Sequence, residues 1–186
     1  MKVLWDFDGT LINTYPSYAR QFQQVLPNSV DKQTIYEQLK ISFSHTVSYF
    51  QMTEAQEREV RNLVDRISPA ELLPFEGIEQ VLRVADTNVI MTHKDRRNLL
   101  RILKRHGLDQ YFKDVVTIDD GFPRKPDTAS YAYLHDRHNL DLAVGDRAID
   151  LIPAKKLGIQ TCSFQNSQVD ADYHIDSYLE FFEVVK

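Results

Sequence analysis

The sequence of 186 residues contains a single cysteine, Cys162. One cysteine cannot form an intramolecular disulfide, and this excludes a small disulfide-stabilised scaffold. The scarcity of cysteine fits a protein kept in a reducing compartment. Because nothing near Cys162 in the sequence favours a reactive thiol, we expect this residue to lie in the core.

Basic residues are in deficit, with 22 Lys and Arg against 27 Asp and Glu and a formal charge of −5. Binding to the phosphate backbone of nucleic acids requires a positive surface. The composition therefore argues against a general nucleic-acid-binding protein. A basic run in the second half of the chain, Arg96 to Arg105, is interpreted as a solvated helix face.

Long apolar runs are also missing, and none approaches the roughly 20 residues that a membrane-spanning helix needs. The first apolar run, Val3-Leu4-Trp5, is followed at once by Asp6 and lacks the apolar segment of a signal peptide. We expect a soluble, cytoplasmic protein without a membrane partner.

Residues 14–75 show helical patterns and no convincing strand. Apolar residues recur at helical spacing between Tyr15 and Leu26. Thr53 and Gln56 form a capping-box pattern, which predicts that a further helix begins at this point. This part of the chain is expected to be a helical block.

The rest of the chain alternates short apolar runs with helical segments. The runs are Val3–Phe7, Asn88–Thr92, Val115–Ile118, Leu142–Val144 and Gln160–Phe164. This alternation predicts an α/β fold, with a parallel sheet covered by helices on both faces. Residues 1–13 and 76–186 would form this core domain, and residues 14–75 would be inserted after its first strand.

Polar residues follow four of the predicted strands, at the sheet edge where ligands bind in open parallel sheets. They are Asp6, Asp8, Gly9 and Thr10 after the first strand, Thr92 and His93 after the second, Lys125 after the third, and Asp146 and Asp150 after the fourth. Acids, hydroxyls and a lysine at one edge suit a divalent cation and a phosphate group.

Each residue type has a chemical use at such an edge. A carboxylate can attack phosphorus directly, and a second acid two residues later can protonate the leaving oxygen. Gly9 allows a sharp turn in which backbone N–H groups face a phosphate. Lys125 supplies a compact positive charge to the nucleophile and the phosphoryl group.

These residues resemble the four ordered motifs of the haloacid dehalogenase superfamily. The matching motifs are Asp6-x-Asp8-Gly9-Thr10, Thr92, Lys125-Pro126 and Gly145-Asp146-x-x-x-Asp150. The resemblance covers nearly the whole chain, and it is strongest to the phosphatase branch that includes phosphoglycolate phosphatases and β-phosphoglucomutases. It implies a Rossmann-like core and assigns residues 14–75 to a small helical cap domain.

The resemblance also implies the cofactor Mg²⁺ and a role for each matching residue. Asp6 would be the nucleophile and a metal ligand, and Asp8 the general acid and base with its backbone carbonyl on the metal. Asp146 would be a further metal ligand, Asp150 its acidic neighbour, and Lys125 would steady the nucleophile. The residues implied in phosphate binding are Thr92, His93, Gly9 and Thr10.

Asp8 distinguishes between branches of the superfamily. An acid two residues after the nucleophile favours phosphatases and phosphomutases over dehalogenases and phosphate pumps, which this chain resembles less. The chain departs from the usual pattern in having Trp5 before the nucleophile, Asn13-Thr14 after the first motif and Arg147 after Gly145-Asp146. These departures leave the chemistry intact, but they weaken the transfer of any particular substrate.

The expected function is that of a Mg²⁺-dependent phosphatase, which hydrolyses a small phosphorylated metabolite through an aspartyl-phosphate on Asp6. Two alternatives stay open: a phosphomutase with the same covalent step, and a binding module on the same fold without turnover. The sequence leaves the oligomeric state undecided between a monomer and a weak dimer.

Several residues also have simpler interpretations. Thr92 could be an ordinary hydroxyl at a helix entry, and Asp150 could cap the following helix. Arg124 is an alternative to Lys125, although Pro126 favours Lys125. The side chain of His93 is tempting as an acid or base, but its backbone N–H is the better candidate for a phosphate contact.

Three residues of the helical block are candidates for substrate contact. They are Arg20 on the first predicted helix, and Lys40 and His45 near the end of the second. A helical cap over the sheet edge would exclude water and select the leaving group.

Overall fold

The computed structural model describes residues 1–185. The chain divides into two compact units. One, which we call the α/β unit, comprises Met1–Ile12 and Pro74–Lys186, and the other, the helical unit, comprises Asn13–Leu73. No helix within the described part of the chain is long and apolar enough to cross a membrane.

The elements follow one another in an order that separates the two units. The chain begins with β1 (Lys2–Trp5), and the helical unit then supplies α1 (Tyr15–Val25), α2 (Lys32–Ile41), α3 (Phe43–Tyr49) and α4 (Glu54–Asp65). The α/β unit continues with α5 (Ile78–Val84), β2 (Thr87–Met91), α6 (Arg96–Arg105), β3 (Phe112–Val116), α7 (Ala129–His138), β4 (Leu142–Gly145), α8 (Ala148–Lys156), β5 (Gln160–Phe164), β6 (Tyr173–Ile175) and α9 (Phe181–Val184).

The six strands form one sheet in the order β3-β2-β1-β4-β5-β6. Every neighbouring pair is parallel. This confirms the predicted Rossmann-like α/β fold. The chain runs outward from β1 through β2 to β3, and then returns to β4 on the other side of β1. Crossovers between parallel strands are nearly always right-handed, so chain paths in these two directions put helices on opposite faces of a sheet. The point where the strand order reverses, between β1 and β4, is where open parallel sheets bind ligands.

The central strands are apolar because both of their faces are covered. In β1 the side chains of Val3, Leu4 and Trp5 are buried, and all four residues of β4 are buried. Near-continuous apolar runs of this kind are typical of the inner strands of parallel sheets. On one side, Leu4 belongs to a core cluster with Val89, Met91, Val116, Tyr131, Leu134, Leu140, Ala143, Ala154 and Ile159.

Short-range hydrogen bonds explain where three helices of the helical unit, α2, α3 and α4, begin. Thr53 and Gln56 form the predicted capping box at the start of α4. Asp31 and Ser42 cap α2 and α3, each accepting from a backbone N–H at 2.9 Å. The sequence did not predict α3 as a separate helix. Ser42 has φ −175° and ψ 161°, an extended conformation that ends α2 and caps α3.

Aromatic packing forms much of the core of the helical unit. The ring centroids of Phe22 and Phe43 lie 5.0 Å apart, and those of Tyr15 and Tyr36 lie 6.2 Å apart, both pairs edge to face. Such pairs contribute about 0.5–1.5 kcal/mol beyond the burial of their area. They fix α1 against α2 and α3.

The last strand, β6, has only three residues, and the sequence analysis did not identify it. Only one of these three, Ile175, is buried. A run this short carries too little alternation to be recognised without the neighbouring strand. It pairs with β5 from Cys162 to Phe164.

Tyr178 connects the end of the chain to the loop after β1. Its ring stacks on that of Phe164 with centroids 4.3 Å apart, and its hydroxyl donates to the backbone carbonyl of Thr10 at 2.9 Å. Burial raises the pKa of this phenol well above its ordinary value, so the hydroxyl keeps its proton. Tyr178 therefore helps to hold the loop that carries Thr10.

Removing this hydroxyl should destabilise the protein. In Tyr178→Phe the buried carbonyl of Thr10 loses its donor, and we expect the free energy of unfolding to fall by about 1–3 kcal/mol in urea denaturation. Tyr133→Phe is the control, since Tyr133 is 40% exposed. Its effect should stay within about 0.5 kcal/mol. Equal losses in the two variants would contradict this role of Tyr178.

Candidate active site

A tight loop after β1 places Asp6 at the carboxyl edge of the sheet. The backbone N–H of Asp6 donates to the carbonyl of Val144 in β4 at 2.9 Å, which continues the strand pairing. Gly9 then adopts φ +82°, a conformation that favours glycine. The carbonyl of Phe7 accepts three backbone N–H groups, those of Thr10, Leu11 and Ile12.

The backbone N–H groups of Gly9 and Thr10, which the sequence analysis placed near a phosphate, form hydrogen bonds within the loop itself. The N–H of Gly9 donates to the carbonyl of Ile12 at 2.9 Å, and that of Thr10 donates to Phe7. The Thr10 hydroxyl, by contrast, faces the acids. It lies 3.4 Å from Oδ2 of Asp6 and 3.3 Å from Oδ1 of Asp146.

A lysine joins two of the acids. The ammonium of Lys125 lies 2.6 Å from Oδ1 of Asp6 and 2.8 Å from Oδ1 of Asp150. All three side chains are at most 2% exposed. Arg124, the alternative in the sequence, is exposed. Charges buried this deeply are tolerated only when they are paired, so Lys125 holds the two carboxylates together.

The third acid, Asp146, directly follows β4, and Asp150 lies one turn into α8. Carboxylate oxygens of Asp6, Asp146 and Asp150 lie within 4.8 Å of one another. Gly145 makes this approach possible. A Cβ atom at position 145 would stand 2.5 Å from the Cβ of Asp150, closer than such atoms come.

The chemistry of these donors fits a divalent cation. Asp6, Asp146 and Asp150 offer hard oxygen ligands, which Mg²⁺ prefers. A divalent charge among them would offset their mutual repulsion. The residues that the structure brings together are therefore able to hold Mg²⁺.

The charges within the cluster shift one another's ionisation. Burial and the neighbouring Asp150 raise the pKa of Asp6 to about 6, against the opposing effect of Lys125. Burial also acts to raise the pKa of Asp150, but Arg147 and Lys125 outweigh it and lower that pKa to about 2. Although burial opposes it, the two carboxylates raise the pKa of Lys125 above its ordinary value, so the ammonium stays charged.

Arg147 reaches all three carboxylates, a contact that sequence reasoning missed. Its Nε lies 3.1 Å from Oδ2 of Asp150 and 3.8 Å from Oδ1 of Asp146, and its Nη2 lies 3.8 Å from Oδ1 of Asp6. The sequence marked Arg147 only as a departure from the family pattern. Its position directly after Asp146, at a strand end, was the available signal.

Asp8 is paired with a second unpredicted cation. The Nζ atom of Lys94 lies 3.3 Å from Oδ1 of Asp8, and 5.8 Å from the ring centroid of Phe7. The side chain of Lys94 is 11% exposed and that of Asp8 is 21% exposed. Lys94 comes two residues after Thr92, whose hydroxyl accepts from the Lys94 N–H at 3.1 Å.

The side chain of His93 positions Lys125. Its Nε2 accepts from the backbone N–H of Lys125 at 3.0 Å, so its proton is on Nδ1. Burial, followed by the charges of Lys125, Arg124 and Arg147, lowers the pKa of His93 to about 4. The imidazole is therefore neutral at pH 7.

Two further polar side chains hold the backbone of Asp150 and Asp146 by hydrogen bonds to their carbonyl groups. Tyr131 donates its hydroxyl to the backbone carbonyl of Asp150 at 2.7 Å. Asn166 donates to the backbone carbonyl of Asp146 at 2.8 Å. The sequence carried no sign of either contact, because the two residues lie 19 and 20 positions along the chain from the carbonyls that they bind.

Two of the three candidates in the helical unit, Arg20 and His45, have partners within that unit. Arg20 is exposed, lies 2.9 Å from the Ser17 hydroxyl and forms an ion pair with Glu71 at 3.6 Å. His45 contacts Gln38 at 3.0 Å. Lys40 lies half-buried in the last turn of α2.

Comparison with known proteins gives a family match over most of the chain. Residues 3–164 match the profile of the haloacid dehalogenase-like hydrolases. A phosphoglycolate phosphatase from Vibrio parahaemolyticus is 26% identical over 218 residues, covering 98% of this chain and 95% of that protein. The pyrophosphatase PpaX from Halalkalibacterium halodurans is 23% identical over 205 residues, again covering 98% and 95%.

A solved structure has the same fold. A protein described as a predicted phosphoglycolate phosphatase from Haemophilus somnus superposes with a TM-score of 0.79, over 98% of this chain and 96% of that one. Its sequence is 17% identical, so this likeness concerns the fold alone.

The contact between Gly145 and Asp150 can be tested by a double-mutant cycle. Gly145→Ala forces its new Cβ against Asp150, and we expect a loss of about 1–3 kcal/mol in the free energy of unfolding. In an Asp150→Gly background the opposing atoms are gone, and the same alanine should cost almost nothing. An equal cost in both backgrounds would show that the close approach is unimportant.

His93 should make stability depend on pH. Its pKa is about 4 in the folded chain against 6.5 ordinarily, so the unfolded chain binds the proton first as pH falls. This contribution to stability is complete above pH 6.5 and is lost between pH 6.5 and 4. We expect His93→Gln to flatten the stability curve over that range in urea denaturation. Parallel curves for the two proteins would rule out this linkage.

Proposed function

The chain belongs to the haloacid dehalogenase-like hydrolase family, and on this premise we propose that it is a Mg²⁺-dependent phosphatase of a small phosphorylated metabolite. Asp6 would act as the nucleophile and carry an aspartyl-phosphate intermediate. The observation that carries the proposal is the buried Asp6 carboxylate, held 2.6 Å from the Lys125 ammonium and beside two further acids.

The metal would be held by Asp6, Asp146 and the backbone carbonyl of Asp8, with Asp150 as their acidic neighbour. When bound, Mg²⁺ neutralises the charge that develops on the transferring phosphoryl oxygens. The support for this ligand set is the hard oxygen chemistry of three buried carboxylates that lie within 4.8 Å of one another.

In the first step, an oxygen of Asp6 forms a bond to phosphorus and the bond to the leaving oxygen breaks. Asp8 gives its proton to that oxygen. Lys125 stays charged throughout and fixes the orientation of Asp6. Lys94, 3.3 Å from Asp8, is placed to form an ion pair with the carboxylate after the proton has left.

In the second step, Asp8 takes a proton from a water molecule that attacks the phosphoryl group on Asp6. The bond between phosphorus and Asp6 breaks, which releases inorganic phosphate and regenerates the free carboxylate of Asp6. The Thr92 hydroxyl and the backbone N–H of His93 would bind phosphoryl oxygens through both steps. Gly9 and Thr10 would contribute to phosphate binding through the shape of their loop and through the Thr10 hydroxyl.

The names of two relatives support the proposed substrate class. Their names indicate phosphatases of phosphoglycolate and of pyrophosphate, both small phosphorylated compounds. We propose that the helical unit acts as a cap and contributes Arg20, Lys40 and His45 to substrate contact. Within that unit, Arg20 pairs with Glu71 and His45 contacts Gln38.

The reaction class can be tested by phosphate release from a generic aryl phosphate. We expect release that requires Mg²⁺, that stops in excess EDTA and that is absent in Asp6→Asn, because the amide cannot attack phosphorus. Asp8→Asn should lower kcat by about 10²–10⁴-fold, the usual contribution of a general acid and base.

Asp136→Asn is the matched control, since Asp136 lies exposed on α7 and undergoes the same chemical change. It should release phosphate at the wild-type rate. Release by Asp6→Asn at that rate would refute the covalent mechanism. If the wild type interconverts sugar phosphates without releasing phosphate, the protein is a mutase and not a phosphatase.

A further inference from the structure

The guanidinium of Arg147 contacts the same three acids that fit a divalent cation. The distances are 3.1 Å to Asp150, 3.8 Å to Asp146 and 3.8 Å to Asp6. A second nitrogen, Nη2, lies 3.2 Å from Oδ1 of Asp150. A planar fork with several donors can bridge several carboxylates at once, which an ammonium cannot do.

The protein side chains alone give the cluster a net charge close to zero. Asp6, Asp146 and Asp150 carry three negative charges when ionised, and Lys125 and Arg147 carry two positive ones. A divalent ion would bring two more positive charges to within a few ångströms of the guanidinium. At such distances the repulsion between like charges is large, even with the effective dielectric constant of a protein surface.

The side chains of Lys125 and Arg147 differ in how easily they can move away from the acids. The side chain of Lys125 is 1% exposed and is enclosed by Asp6, Asp150 and the ring of Tyr131. The side chain of Arg147 is 16% exposed. Its backbone N–H separately donates to Oδ2 of Asp150 at 3.2 Å, a contact that does not depend on the guanidinium. Arg147 can therefore turn outward while its backbone stays in place.

We infer that Arg147 competes with the divalent cation for Asp6 and Asp146, so that cation binding requires its guanidinium to withdraw from them. This inference rests on the proposed function, since it concerns the metal of the same site. It implies that Arg147 stabilises the acid cluster at low Mg²⁺ and lowers the affinity for Mg²⁺. The enzyme would then respond to the concentration of free Mg²⁺ instead of holding the ion permanently.

The test measures Mg²⁺ binding to the full chain by isothermal titration calorimetry, without substrate. We expect Arg147→Gln to bind Mg²⁺ about tenfold more tightly than the wild type, because a repelling charge in direct contact is gone. Arg124→Gln removes the same charge from an exposed position beside Lys125. As the matched control, it should change the dissociation constant by less than about twofold, because solvent screens its charge.

Thermal unfolding supplies an independent readout. Without Mg²⁺, Arg147→Gln should unfold at a lower temperature than the wild type, since the three acids lose a counter-charge. On adding Mg²⁺ it should gain the larger increase in Tm. If Arg147→Gln does not fold, Arg147→Lys is the second variant. It retains the positive charge but lacks the planar guanidinium. Its affinity for Mg²⁺ should exceed that of the wild type, by a smaller factor than we expect for Arg147→Gln.

An unchanged or weaker affinity for Mg²⁺ in the folded Arg147 variants would overturn the inference. So would weaker binding of orthovanadate together with unchanged Mg²⁺ affinity, since Arg147 would then be a phosphate ligand. Failure of every variant to bind Mg²⁺ would overturn it as well, because removing a competitor must reveal binding. Phosphate release by the wild type tests the proposed function separately, so the two failures can be distinguished.

Discussion

The contact of one ammonium, that of Lys125, with the carboxylates of Asp6 and Asp150 is the interaction on which the rest of the candidate site depends. All three groups are shielded from water, and removing one partner of such a buried set leaves uncompensated charge that costs about 3–5 kcal/mol. The surrounding contacts serve to keep this arrangement in place. His93 holds the backbone of Lys125, and Tyr131 holds the backbone of Asp150.

Much of the fold could be predicted because its signals are local. Apolar runs such as Leu142–Val144 mark strands buried on both faces, and the capping box of Thr53 and Gln56 marks a helix start with residues three apart. The convergence of Asp6, Lys125 and Asp146 was also predictable. Once the strands are parallel, the residues that follow them must meet at one edge of the sheet.

The remaining features depend on where side chains point after the chain has folded. The sequence places Arg147 next to Asp146 but does not tell whether its guanidinium turns inward or toward solvent. Lys94 follows Thr92 by two residues, yet its pairing with Asp8 requires β1 and β2 to be neighbours. Gly145 looks like an ordinary turn glycine until the Cβ of Asp150 is seen against it. Such contacts come from tertiary packing, which no local pattern encodes.

The hydrogen bond from Tyr178 to Thr10 joins residues that are 168 positions apart. During translation the two partners are therefore synthesised at different times. The loop that carries Asp6 and Thr10 is synthesised first, and the tyrosine that anchors it follows 168 residues after Thr10. At bacterial and eukaryotic elongation speeds the delay is roughly ten to thirty seconds. During that interval the nascent chain already displays its acidic motif, but the loop has no hydroxyl to hold the carbonyl of Thr10. This part of the site can therefore be completed only after Tyr178 has been synthesised.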